Sequence, residues 1–138
     1  MIPKRIYLIV MGILFPVWLQ AQTVQSAQYT HIAYIKSNGT IQDSSYRTLG
    51  YIKPDGTLQD GQYRTKGYIK PDGTYQNAQY GTLGYLKKDG TVQDSSYRTL
   101  GYIKDDGTIQ DASYRTLGYA KGIKKEWALI VFFFFEWN

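Results

Sequence analysis

Residues 46–62 read YRTLGYIKPDGTLQDGQ, and residues 63–79 read YRTKGYIKPDGTYQNAQ. The phrase recurs along the chain, so that Tyr34, Tyr51, Tyr68, Tyr85, Tyr102 and Tyr119 each stand 17 residues from the next. A second tyrosine column runs through Tyr29, Tyr46, Tyr63, Tyr80, Tyr97 and Tyr114. The unit is complete five times between Tyr29 and Ser113, and a partial copy follows from Tyr114. A fixed short period means one supersecondary unit, stacked in a row or arranged in a ring.

The words K-P-D-G-T, K-S-N-G-T, K-K-D-G-T and K-D-D-G-T predict a hairpin turn. Proline presets the second turn position, and glycine accepts the left-handed backbone that closes a bulged hairpin. The flanking runs T-L-G-Y-I-K and T-x-Q-D are rich in β-branched and aromatic residues and lack helical spacing, so they read as short strands. Closing the turn on Lys53 and Thr57 sets Ile52 opposite Leu58 on one face and Tyr51 opposite Gln59 on the other. The same pairing gives Ile35 with Ile41, Ile69 with Tyr75, Leu86 with Val92, and Ile103 with Ile109. Ten such residues make a thin core, so the hairpins must bury it against one another. The column Ile32, Leu49, Leu83, Leu100 and Leu117, broken by Lys66, completes it together with part of the tyrosine set.

Mid-strand glycines (Gly50, Gly67, Gly84, Gly101, Gly118) mark a bulge, a bend or a close backbone approach in every unit. Repeated bending curves hairpins around an axis, and closing the ring removes free edges. The half unit before Tyr34 and the half unit after Tyr114 are the pieces available to close it. From Glu126 to Asn138 the chain departs from the repeat as EWALIVFFFFEWN. Its eight consecutive apolar residues are too few for a membrane-spanning helix and read as a strand buried on both faces, packed across the base of the ring. The fold class expected is therefore all-β: five 17-residue hairpins in a closed pseudo-five-fold ring, sealed by a hydrophobic C-terminal strand.

Residues 1–21 carry Lys4 and Arg5, then an apolar run from Ile6 to Leu19, then a small residue at Ala21. That order of parts is a secretory signal peptide. Four segments follow: a signal peptide at 1–21, a polar N-terminal segment at 22–28, the repeat domain at 29–119, and a closing strand of the same domain at 120–138. Removing the leader lowers the basic count from 16 to 14 against 11 acids, so the net charge falls from +5 to +3. The remaining charges alternate in sign, which argues against a nucleic-acid surface. The expected location is periplasmic or extracellular, with no transmembrane span once the leader is gone.

The signal peptide, the G-Y-I-K-x-D-G-T-x-Q-D units and the aromatic terminal segment together resemble the five-fold beta-flower proteins. The resemblance covers nearly all of the chain from Tyr29 to Trp137. It implies an exported bacterial protein with hairpins around a pseudo-five-fold axis, and it supplies no activity and no catalytic residues to carry over. The third unit departs furthest from the consensus, at Lys66, Tyr75, Asn77 and Gly81.

Candidate sites follow from the columns. Asp43, Asp60, Asp94 and Asp111, with Asn77, precede Arg47, Arg64, Arg98 and Arg115, with Gly81, by four positions. Both charges vanish together at 77 and 81, so the pattern reads as a charge pair or aspartate turn in each unit, ahead of a calcium ring. The turn aspartates and the lysine column beside them need no ligand to explain them. Zero cysteine removes thiolate metal sites and thiol nucleophiles, and a single histidine, His31, removes multi-histidine zinc centres. No metal site, cofactor site or catalytic residue is expected, and the chain reads as non-enzymatic. The tyrosines are the most informative case. Twelve of them, out of 14, occupy the two columns, beside Gln, Asp and Thr. Inter-hairpin packing is the simpler use for them. The ligand reading places carbohydrate or cell-wall glycan on Tyr34, Tyr51, Tyr68, Tyr85 and Tyr102. The partner expected is a surface glycan or another protein, and a structural or interaction role is the leading function.

Overall fold

A computed structural model of the chain describes residues 22–28 and 31–135. Twelve short strands run β1 Gln22–Ser26, β2 His31–Ile35, β3 Thr40–Asp43, β4 Thr48–Ile52, β5 Thr57–Asp60, β6 Thr65–Ile69, β7 Thr74–Asn77, β8 Thr82–Leu86, β9 Thr91–Asp94, β10 Thr99–Ile103, β11 Thr108–Asp111 and β12 Thr116–Tyr119. Each pairs antiparallel with its chain neighbours, and β1 pairs with β12, so the sheet is a closed barrel. Full closure leaves no strand edge.

The predicted hairpin register holds. Ile52 lies opposite Leu58 and Tyr51 opposite Gln59, and Ile69 lies opposite Tyr75. In the turn the Lys53 amide donates to the Thr57 carbonyl at 2.8 Å and the Gly56 amide to the Lys53 carbonyl at 2.9 Å. Gly56 has φ +92°, and a Cβ there would lie 2.1 Å from the Ile69 carbonyl oxygen of the next hairpin. The Ile69 amide donates back to the Gly56 carbonyl at 2.9 Å. Glycine is thus required twice over, by the left-handed turn and by the neighbour it touches.

Five hairpins are continuous, as the repeat count predicts. The sixth position around the barrel is filled by β12 and β1, so the ring has six positions where the sequence suggests five. Segment 22–28 is accordingly no mere polar lead-in. Val24 is fully buried, and Gln25 and Ser26 lie opposite Tyr119 and Gly118. The signal for this was present: Thr23, Val24 and Gln25 stand 17 residues before Thr40, Ile41 and Gln42. Closure by the two ends of the repeat is as expected, with the closing strand one step earlier in the chain.

Each unit also carries an irregularity of register beside its mid-strand glycine, or beside Ala33 in the first unit, as between Ile41 and Gln42 opposite Gly50 and Thr48. The residue skipped there is Leu49, and the skipped residue of the next unit is Lys66. A bulge at one place per unit bends every second strand and increases the local twist.

The C-terminal segment corrects the sequence reading. Residues expected to form a sealing strand are helical: α1 spans Lys125–Leu129 and continues as a π-helical turn over Ile130–Phe134. Ala128, Leu129, Ile130 and Val131 are 0–2% exposed and join the aliphatic pairs of the strands in one core. The reason lies in the barrel's width. Eight strands enclose just enough room for their own side chains, and the interior widens with strand number. Twelve strands whose inward aliphatic residues alternate with a column of glycines leave a lumen, and the wholly apolar stretch from Ala128 to Phe135 fills it.

The glycine column makes that filling possible. A Cβ at Gly118 would lie 2.8 Å from the Phe132 ring, at Gly101 2.8 Å from Phe133, at Gly84 2.5 Å from Phe134, and at Gly50 3.4 Å from Phe135. At Gly67 the hydroxyl end of Tyr75 takes that place, 2.7 Å away, and Tyr75 stacks on Phe134 with centroids 5.0 Å apart. Phe132, Phe133 and Phe134 therefore face three successive units, and Phe135 faces Gly50, beyond the unit that Tyr75 fills. The step from Gly118 to Gly50 crosses four of six positions, about 240° in three residues, or about 80° per residue. An α-helix turns about 100° per residue and would overrun the wall positions. The wider π turn, with the Phe135 amide donating to the Ile130 carbonyl at 2.7 Å, keeps rings and glycines in step.

Candidate functional site

The outer wall is built from the same unit, seen from the other face. Tyr51 projects from β4 opposite Gln59, on the face away from Ile52. The following turn, Asp60 to Arg64, brings Tyr63 back over it. The Asp60 carboxylate accepts the amides of Gln62 at 2.9 Å and Arg64 at 3.0 Å, and also the Arg64 Nε at 2.7 Å. An aspartate bonding the backbone two residues on is itself a turn-forming device. Three further turns repeat it at Asp43, Asp94 and Asp111, with Nε–carboxylate distances of 2.7–2.9 Å. Asn77 keeps the backbone bonds, to Gln79 at 2.9 Å and Gly81 at 2.8 Å, without the charges. The aspartate and arginine columns therefore pair locally, as their joint loss at 77 and 81 predicts. Backbone amides first, with Arg64 behind them, hold the Asp60 carboxyl below the ordinary carboxylate range.

This turn forces Tyr46, Tyr63, Tyr80, Tyr97 and Tyr114 to φ between +65° and +68°. Such a left-handed backbone is costly for any residue with a Cβ. Each ring then lies flat on the first-column tyrosine twelve residues earlier. Centroids are 4.8–5.0 Å apart and ring planes 4–10° from parallel in the pairs 34/46, 51/63, 68/80, 85/97 and 102/114. Tyr51 donates its hydroxyl hydrogen to Tyr63 at 3.3 Å, Tyr85 to Tyr97 at 3.4 Å, and Tyr102 to Tyr114 at 3.3 Å. That bond, helped by partial burial, raises the inner phenols above their usual pKa.

Two tyrosine populations result. The first-column residues Tyr34, Tyr51, Tyr68, Tyr85 and Tyr102 are half-buried, each with one face covered by its partner. The second-column rings are 64–66% exposed. Sequence reasoning singled out the inner set; the accessible aromatic faces belong to the outer one. The outer set was signalled by its place in D-x-x-Y-R, between a turn aspartate and its arginine. Tyr29 lies outside the described residues. Between neighbouring hairpins the Tyr85–Tyr97 stack borders a shallow depression of about 510 Å³, lined by Asp72, Tyr85, Lys87, Gln93 and Tyr97 among others. Asp72 belongs to the preceding hairpin turn, and its charge further raises the Tyr85 phenol.

A profile of the 5-fold beta-flower protein family matches residues 21–136. The chain belongs to that family. No curated protein and no solved structure compared with it matches significantly. In this beta-flower protein the petals are the hairpins, and the stacked tyrosines are their outer surface.

Residues weighed for other chemistry are dispersed. His31 is exposed on β2, with Nδ1 3.4 Å from the Tyr34 hydroxyl and its ring edge-on to Tyr34. Glu126 is exposed in the first turn of α1, and Glu136 lies outside the described residues. Among the described residues no three His, Asp or Glu side chains gather as metal ligands would. No helix among them is long and apolar enough to cross a membrane.

Proposed function

We propose that this beta-flower protein is an exported, non-enzymatic repeat protein with an interaction role, contacting its partner through the ring of outer tyrosines. One observation carries the reading: five tyrosines stand 64–66% exposed on a backbone at φ +65° to +68°. A position serving only to close that turn is filled best by glycine or asparagine. Five tyrosines at an unfavourable backbone put the emphasis on the ring. Export is supported by the basic-then-apolar order of residues 1–21 and by a family match that begins at residue 21. The non-enzymatic reading is supported by repetition, which distributes the same side chains evenly and concentrates reactive groups in no unit.

A second reading is favoured by the groove around Tyr85 and Tyr97: the partner is a carbohydrate or cell-wall glycan. The free face of an outer ring suits the apolar face of a sugar, and Gln93 and Asp72 offer a donor–acceptor pair beside it. A glycan array tests this with the native chain and with a Tyr80→Asn, Tyr97→Asn double variant, asparagine being tolerant of the left-handed backbone. Binding that drops in the variant is the expected result. Silence across the array, or binding indifferent to both substitutions, overturns the glycan reading and leaves a protein partner.

A further inference from the structure

Five departures from the repeat line one cavity. Lys66 stands in the leucine column, Tyr75 in an aliphatic column, Asn77 in the aspartate column, and Gln62 and Gln79 in the column that holds Ser45, Ser96 and Ser113. All five border a cavity of about 560 Å³ at the barrel mouth where the π turn ends. That volume is within the usual range for small-molecule sites. Tyr75 fills at Gly67 the place that a phenylalanine ring takes at other units, and Asn77 loses its charge together with Gly81, which leaves Lys66 as the departure that adds a charge to this space.

The cavity has a mixed polar and apolar lining and a single unbalanced charge. Leu49, Leu58, Tyr75, Leu83, Phe134 and Phe135 supply the apolar part. Of the charged lining residues, Arg64 is paired with Asp60 at 2.7 Å. Lys66 is exposed and makes no ion pair or hydrogen bond among the described residues. Two cations against one carboxylate leave the lining at +1. The equivalent position in the neighbouring units is Leu49 or Leu83, which carries no charge. We propose that this cavity binds an amphipathic monoanion, its carboxylate on the Lys66 ammonium and its apolar body on Phe134 and Phe135. The site lies inside the barrel mouth and is separate from the outer tyrosine ring.

The test is an NMR titration of the full chain with octanoate and with uncharged octanamide. Resonances of Lys66, Asn77, Phe134 and Phe135 are followed, so that binding elsewhere is not counted. Octanoate should shift them saturably, and octanamide should bind about tenfold more weakly, the loss of one charge-assisted contact. Lys66→Leu restores the repeat consensus and should weaken octanoate about tenfold while leaving octanamide unchanged; Lys66→Gln, which keeps a polar side chain, should do the same. The proposal is overturned by absence of saturable shifts at these residues, by equal affinity for acid and amide, or by wild-type octanoate affinity in either lysine variant.

Discussion

Gly101→Ala probes the fit between the helix and the wall. The new methyl would sit 2.8 Å from Phe133 Cζ and 2.2 Å from the Gln110 carbonyl oxygen, both well inside van der Waals contact. Overpacking a tight core costs about 1–3 kcal/mol, and a backbone oxygen that cannot rotate away places this site at about 3 kcal/mol. Phe133→Ala alone removes a half-buried ring and should cost about 3 kcal/mol. If the ring is what the methyl meets, the two losses overlap, and the double variant should fall short of their sum by about 1–2 kcal/mol. Urea unfolding followed by tryptophan fluorescence is a suitable assay, since Trp127 packs against the core. With a slope of about 1.5–2 kcal/mol/M, a 3 kcal/mol loss lowers the midpoint by about 1.5–2 M. Gly50 and Phe135 form the internal control, because a methyl there meets the ring at an ordinary 3.4 Å, and their coupling should be smaller. Additivity at Gly101 and Phe133 within about 0.5 kcal/mol refutes the ring-into-glycine packing.

Two further outcomes follow from the outer wall. Tyr63 holds φ near +66°, so Tyr63→Gly should be more stable than Tyr63→Ala by about 1 kcal/mol in the same urea assay, reversing the usual order of these residues. Both variants lose the stack on Tyr51, and equal stability would show that the turn is not left-handed. The pH dependence has two limbs. Carboxyls such as Asp60, held low by amides and arginine, stabilise the fold above about pH 4–5, and that contribution is lost as pH falls through their lowered values. Inner phenols such as Tyr51, held high by the partner hydroxyl, favour the fold below about pH 10 and cease to as pH rises past their raised values. Tyr63→Phe should bring the Tyr51 titration, read by ultraviolet absorbance, to lower pH; no change would remove the inter-tyrosine hydrogen bond as its cause.

Local chemistry was legible and global packing much less so. The D-G-T turns, the Ile52–Leu58 and Tyr51–Gln59 register, and the Asp60–Arg64 pairing could all be read because turn residues and alternation act within a few positions. The helix was not legible. Ala128 to Phe135 has no polar face, because a helix enclosed by a barrel needs none, and a wholly apolar run has no period to distinguish helix from strand. The glycine column is legible as a bulge, a bend or a close backbone approach, while its further duty, room for Phe132 to Phe135, depends on a segment distant in sequence. The sixth ring position was hidden by drift: β1 keeps Thr23, Val24 and Gln25 and has Ser26 where the consensus has aspartate. At the candidate site the tyrosine columns were evident. Which column faces solvent was decided by a positive φ that no propensity scale assigns to tyrosine.

The central claim is a twelve-strand ring closed by its own two ends around a helical plug. Nuclear Overhauser contacts in the full chain measure both parts in one experiment. The account predicts backbone contacts between Gln25 and Tyr119, and contacts from the rings of Phe132 and Phe133 to the α-protons of Gly118 and Gly101 respectively. A C-terminal segment showing strand-type contacts between alternate residues, with Gln25 remote from Tyr119, would contradict it.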